Sequence, residues 1–204
     1  MAAQKKSLHA SARAEAARAA WRAEAAALDP ASVVFLDETS THTALTRRRA
    51  RAPRGQRAVG AAPRNRGPNV TLLAALTPTG MGPGVVFEGA ADRRACEAFV
   101  EQFLVPSLRR GQVVVLDNLS AHKGERVRQL IEGKGCRLLF LPPYSPAFNP
   151  IDLAFAKLKT RLRRVAARTF EALVAAIGDA LDAITAADAR GFFGHCGFPL
   201  PEAI

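Results

Sequence analysis

The chain has 204 residues, with 29 Lys plus Arg against 18 Asp plus Glu, for a formal net charge of +11. Hydrophobic residues make up 49% and charged residues 23%, a globular composition that excludes wholesale disorder. No window reaches the roughly 18 uninterrupted apolar residues of a membrane helix, the N-terminus lacks the apolar run of a secretory signal, and the basic excess favours a polyanionic partner, above all nucleic acid.

Residues 7–28, SLHASARAEAARAAWRAEAAAL, contain neither Gly nor Pro and form helix readily. Asp29-Pro30 ends this helix, because the residue before proline avoids the helical region. Its apolar content is mostly Ala with a single Trp21, which suits a linker or docking helix in residues 1–30 and leaves the core to residues 31–204. Val33-Val34-Phe35-Leu36 reads as a buried strand ending at Asp37-Glu38. From Thr39 to Phe87 there is no acidic residue, while eight arginines (47, 48, 49, 51, 54, 57, 64 and 66) fall in a Pro- and Gly-punctuated loop. A strand over 69–76, a turn at Thr77-Pro78-Thr79-Gly80 and a short strand over 84–87 follow. Residues 92–105 carry Ala95, Phe99, Phe103 and Leu104 at helical spacing. Residues 112–116, QVVVL, form a second strongly buried strand that also ends in an aspartate, Asp117. A helix over 124–132 closes at Gly133 and Gly135, and a strand over 137–141 is stopped by Pro142-Pro143. Beyond a Pro/Ser/Asn-rich loop, a helix starts at Pro150 and runs to about Ala167, an amphipathic helix spans 169–184, and the tail 191–204 is short and apolar. Strands first, then strands alternating with helices, predict an α/β domain with a mixed sheet. The three cysteines (Cys96, Cys136, Cys196) lie far apart with no C-x-x-C, which fits a reducing cytoplasm and offers neither a disulfide framework nor a zinc site.

Two apolar strands each finish in an aspartate. On adjacent strands, Asp37 and Asp117 would stand side by side at the sheet end where ligands bind in open α/β sheets. Asp152, on the first turn of the helix after Pro150, is a third candidate. Crowded carboxylates with no His or Cys between them favour hard divalent cations, Mg²⁺ or Mn²⁺. Two such ions can activate the attacking oxygen and stabilise the leaving oxygen of a phosphodiester. Each aspartate also has a plainer reading. Asp37 or Asp117 can end a strand in a turn, and Asp152, third in a helix capped by Asn149, can bond back to the cap. Strand alternation turns Glu38 to the opposite face from Asp37. On the helix after Pro150, Ile151, Phe155, Leu158, Leu162 and Val165 form the apolar stripe, with Lys157, Arg161, Arg164 and Arg168 roughly opposite. Asp152, Lys159 and Arg163 fall on a third line between them, as a metal site beside a phosphate backbone would require, or as any solvated basic face would show.

Three segments in this order, VVFLDET, VVVLDNLSAHKG and LLFLPPYSPAFNPIDLAFAKLK, resemble the catalytic core of transposases of the mariner superfamily, most closely the bacterial insertion-sequence branch. The resemblance covers residues 33–168. The segment RAPRGQRAV and the alanine-rich stretch before residue 30 also look familial. The LPPYSP–NPI–FAKLK string is highly specific; DET alone is weak. The 34 residues between Asp117 and Asp152 match the superfamily spacing.

The resemblance implies a ribonuclease H-like fold, a mixed five-stranded sheet flanked by helices. It implies that Asp37, Asp117 and Asp152 are the catalytic and metal-binding triad, holding two Mg²⁺ or Mn²⁺ ions. It implies DNA cleavage at transposon ends, joining of the 3′-OH to target DNA at a TA dinucleotide, and a homodimer on DNA. The third acid is usually Glu in the bacterial branch and Asp in the animal mariner branch, so this chain carries the shorter side chain in a bacterial-looking context. DNA contacts fall to Arg47, Arg48, Arg49, Arg51, Arg54 and Arg57 of the loop, with Lys123, Lys159 and Arg163. Glu38, Asn118, His122 and Asn149 are the supporting positions around the triad. Complete family members carry helix-turn-helix modules ahead of the core. The expectation here is a catalytic half, either a second reading frame partnered with a separate helix-turn-helix polypeptide or a decayed copy. The rival functions are a DNA-binding relic without turnover and a ribonuclease H-like nuclease that only hydrolyses. The setting is the cytoplasm, on the nucleoid when DNA is bound.

Overall fold

Each apolar run read as a strand enters one sheet. The computed structural model describes residues 15–47, 49–117 and 124–200. Its strands are β1 (Val33–Thr41), β2 (Val70–Thr77), β3 (Gly80–Glu88), β4 (Val113–Leu116) and β5 (Arg137–Phe140). They lie in the order β3-β2-β1-β4-β5. The first three pair antiparallel, whereas β4 and β5 run parallel to β1. The mixed five-stranded sheet is therefore as expected.

Alternation along the strands builds two cores. Val33, Phe35, Leu72, Leu76, Val113 and Val115 face one way, against α1 (Glu15–Ala26), α5 (Pro150–Val165), α6 (Phe170–Asp182) and α7 (Ala186–His195). Val34, Leu36, Leu73, Val114 and Leu116 face α2 (Arg93–Phe99), α3 (Val105–Ser107) and α4 (Glu125–Gly133). The central strands are buried on both faces, which is why they read as continuous apolar runs. Each fully buried Val, Leu or Phe contributes about 1.5–3 kcal/mol of transfer free energy.

Three elements in the first half of the chain differ from the sequence reading. β1 does not stop at Asp37: its parallel pairing with β4 ends at Leu36↔Leu116, but its antiparallel ladder with β2 continues to Thr41↔Val70. The polar tail DETST remains strand because β2 supplies its hydrogen bonds and Thr39 and Thr41 are buried. β3 begins at Gly80 rather than 84, with a register shift between Ala74 and Leu76 on β2. The single helix expected over 92–105 is α2 and α3 joined by a π-helical turn, Val100–Leu104, capped at its start by the Asp92 carboxylate, which accepts from the Ala95 N–H at 2.8 Å.

The tail is not a loose apolar end. Thr185 and Asp188 form a capping box that opens α7. Phe193 of α7 and Phe198 beyond it are buried edge-on against Phe35, with ring centroids 5.4 and 5.3 Å away. The glycines of this segment hid a helix whose start signal, Thr-x-x-Asp, is in the sequence. At the other end, α1 takes the docking form of its two readings: Trp21 and Ala25 join the core and Arg18 is buried beside them. One indole supplies contact area that an alanine helix lacks. The residues of the expected helix before Glu15 lie outside the described ones. Among the described residues no helix is long and apolar enough to cross a membrane.

Candidate active site

The register of β1 and β4 decides the neighbourhood of the first two acids. Leu36 and Leu116 are parallel partners, so the next residues, Asp37 and Asp117, stand on adjacent strands facing the same side. The third acid arrives through a short rigid entry. A 3-10 turn, Pro146–Phe148, leads to Asn149, with Pro150 at the first position of α5 and Asp152 in its first turn. Asp37, Asp117, Asn149 and Asp152 line one cleft of about 640 Å³, with Tyr144 and Ser145 on its far wall. Asp37 is a strand-interior residue placed where its parallel neighbour ends, rather than a strand terminus.

Asn149 does not cap α5 with its side chain. Instead its amide Nδ2 donates to Asp37 Oδ2 at 2.8 Å, while the Glu38 backbone N–H donates to Asp37 Oδ1 at 2.7 Å. Both Asn149 and Asp37 are buried. Asp152 does bond back to the cap residue: its backbone N–H donates to the Asn149 carbonyl at 3.2 Å and a side-chain hydrogen bond from Asn149 favours its charged form, although Asn149 gives no side-chain cap to the helix N–H groups. Burial pushes the Asp37 carboxyl up to about 7, helped by the Asp117 charge and, more weakly, by Asp152 and Glu38, against the Glu38 N–H. Burial also raises Asp152, with Asp117 adding to it and Asn149 and Lys159 opposing. The charge of Asp117 therefore bears on both Asp37 and Asp152 across the cleft.

Among the described residues no group of three or more Asp, Glu, His or Cys side chains is arranged to hold a metal ion together; the acids are separate walls of one cleft. The donor chemistry nevertheless fits a hard divalent cation. Every candidate ligand is a carboxylate oxygen, and the raised Asp37 and Asp152 carboxyls mark a site whose anionic form a cation would relieve.

The basic residues divide. Lys159 is half-buried and lowered first by burial and then by Arg163, while the Asp152 and Asp37 charges pull it up. Arg163 in turn joins Arg47, Arg49, Thr160 and Arg164 around a groove of about 500 Å³. Arg164, read as lying on another face of the helix, is thus part of the same groove. Arg51, Arg54 and Arg57 sit on the exposed coil beyond it. Arg168, at the end of α5, donates to the carbonyls of Thr43 and Leu45 at 2.8 and 3.0 Å and ties down the base of the arginine loop. Lys157 is paired with Asp188 of α7. Glu38 also lines the cleft, and its charge, after burial, raises the Cys96 thiol on α2 to about 12. Arg48, Asn118, His122 and Lys123 lie outside the described residues.

The family described as DDE superfamily endonuclease matches residues 32–174. No curated protein matches the chain. Among solved structures, the Mos1 transposase paired-end complex with left transposon end superposes with a TM-score of 0.72 at 16% identity, over 96% of this chain and 64% of that one. A pre-cleavage Mos1 transpososome gives 0.71 at 15%, over 90% and 58%. The isolated catalytic domain of Mos1 mariner transposase gives 0.63 at 13%, over 90% and 85%. The chain thus spans about three fifths of the length of the Mos1 chains in those two complexes. At these identities the likeness carries the fold, the ribonuclease H-like arrangement of a mixed five-stranded sheet and flanking helices.

Proposed function

The chain belongs to the DDE superfamily endonucleases, and from that premise we propose that residues 31–204 are the catalytic domain of a DNA transposase, with residues 1–30 as its linker. In this reading it cleaves DNA at transposon ends and joins the freed 3′-OH to target DNA at a TA dinucleotide. The observation that carries it is the convergence of Asp37, Asp117 and Asp152 on one cleft from β1, the end of β4 and the start of α5.

Asp37, Asp117 and Asp152 would hold two Mg²⁺ or Mn²⁺ ions, which supply activation of the attacking oxygen and stabilisation of the leaving oxygen. Asn149 fixes the rotamer of Asp37 by holding one carboxylate oxygen. Lys159 and Arg163 present positive charge beside the carboxylates, where a phosphate backbone would pass. The groove of Arg47, Arg49, Arg163 and Arg164 extends that track away from the cleft. Such phosphate contacts hold DNA without reading its sequence. No Ser or Tyr nucleophile is required, because water and then the DNA 3′-OH attack. The NPI and FAKLK flanks of Asp152 support the bacterial insertion-sequence branch. Assembly as a homodimer on DNA, with a separate helix-turn-helix polypeptide reading the ends in the cytoplasm, completes the reading.

Two assays with Mn²⁺ test it: nicking of a supercoiled plasmid, and joining of a labelled duplex with a free 3′-OH to a target plasmid. The expected result is both activities in the natural chain and neither in Asp152→Ala. Nicking without joining would leave a hydrolytic nuclease, and DNA binding without either would leave a relic. Equal nicking with and without Asp152 would remove that residue from the site.

A further inference from the structure

Behind the cleft wall lies a buried guanidinium that the catalytic reading does not use. Arg18 of α1 is 3% exposed. Its Nη1 donates to Ser145 Oγ at 2.6 Å, and its guanidinium carbon lies 4.2 Å from the centroid of the Phe148 ring. Its acidic neighbour on the same helix, Glu15, is 4.0 Å away and largely exposed. Ser145 Oγ passes the bond on to the Pro143 carbonyl at 3.1 Å. Ser145 and Pro143 line the cleft, whereas Arg18 does not. Phe148 directly precedes Asn149, whose amide holds Asp37.

A buried cation is an expensive way to fill space, and an apolar side chain of the same length would fill it as well. What a guanidinium adds is geometry: a planar fork that stacks on a ring while donating along a fixed direction. Here it locks both ends of the turn Pro146–Phe148, the segment that delivers Asn149 and then Asp152 to the site. Trp21, one turn further along α1 and buried in the core, fixes the helix that carries it.

We infer that Arg18 is a positioning residue: from the linker helix, through Ser145 and Phe148, it sets the placement of Asn149 and so of the carboxylates. This inference rests on the transposase reading above. It makes docking of α1 a condition for a competent cleft, so the helix that leads into the domain also holds its metal-binding wall in place.

The test compares the natural chain with Arg18→Met, Arg18→Lys and the surface control Arg93→Met, exposed on α2 away from Phe148, whose ring Arg22 also approaches at 5.4 Å. Mn²⁺ affinity is read by electron paramagnetic resonance of free ion, plasmid nicking is resolved into kcat and KM, and hydrogen exchange is followed at the Phe148 and Asn149 amides. These amides bond within the turn to the Ser145 and Pro146 carbonyls, both at 3.0 Å. Arg18→Met should weaken Mn²⁺ binding and lower kcat by about tenfold, the usual scale for a residue that orients metal ligands, with KM for DNA within about twofold. Both amides should exchange about tenfold faster as the turn opens more often. Arg18→Lys should recover part of each loss, and Arg93→Met should change none of them. If Arg18→Met fails to fold, Ser145→Ala tests the same link by deleting one hydroxyl. A lower melting temperature with Mn²⁺ affinity and exchange unchanged would overturn the inference and leave Arg18 as packing. A natural chain that binds no Mn²⁺ would overturn the transposase reading and the purpose given to Arg18. The exchange rates need no metal and decide separately whether Arg18 holds the wall.

Discussion

Asp37 makes the stability of the metal-free protein a readout of the cleft. Burial and the neighbouring Asp117 charge push its carboxyl from 3.8 up to about 7. An acid with a higher pKa in the folded than in the unfolded chain binds more protons when folded. Stability therefore falls as pH rises from about 4 to about 7. One pKa unit corresponds to 1.36 kcal/mol, so ionised Asp37 costs about 4 kcal/mol once pH exceeds both values. Of this, about 2.6 kcal/mol is lost between pH 5 and pH 8, or about 5–10 °C in melting temperature for a domain of this size. Asp37→Asn removes the titration and keeps the shape. Its carbonyl can still accept from the Glu38 N–H, and its NH₂ can meet a flipped Asn149 amide. Thermal melts in EDTA from pH 5 to pH 8 are the assay. The variant should gain on the natural chain as pH rises, by that 5–10 °C. Asp152, also raised by burial, will leave some slope in the variant. Parallel melting curves for the two proteins would refute the reasoning, because they would mean that Asp37 is neither desolvated nor crowded by Asp117.

Three further outcomes are expected. Millimolar Mn²⁺ should raise the melting temperature of the natural chain by mass action, by about 2.7 kcal/mol at a hundredfold excess over its dissociation constant, and should do so far less in Asp117→Asn; scanning calorimetry with and without Mn²⁺ checks this. Binding to two unrelated DNA duplexes should be nearly equal and fall with salt, and, if the groove arginines meet phosphates as proposed, Arg49→Ala or Arg163→Ala should each flatten the log–log slope by about 0.9, as read by fluorescence anisotropy. Asp152→Glu should keep or raise Mn²⁺-dependent plasmid nicking, since Glu forms helix well and, on the proposed bacterial-branch reading, its extra methylene reaches further into the cleft, so a fall in rate would show that the helix start is already placed for Asp.

Local patterns in the chain determined much of this protein. The apolar runs at Val33–Leu36 and Val113–Leu116 could only be buried strands, because neither face could tolerate water. The acids that end those runs, with Asp152 after Pro150, were legible as candidates, and they line one cleft. Short-range chemistry is enough for such features, since each depends on burial and on a few neighbouring backbone torsions. The remainder was decided by partners far away in the chain. DETST extends β1 because β2 offers it a ladder. Asn149 holds Asp37 rather than its own helix because the fold brings together residues 112 positions apart. Arg164 joins Arg47 because the arginine loop folds back onto α5, tied there by Arg168. Arg18, one arginine among many in an alanine-rich stretch, became a buried strut only when Ser145, 127 residues later, arrived to accept its hydrogen bond. A side chain with several available partners carries no local mark of which it will take. That choice follows from which surfaces meet once the sheet has closed its two cores, and there tertiary packing, not propensity, sets the energy.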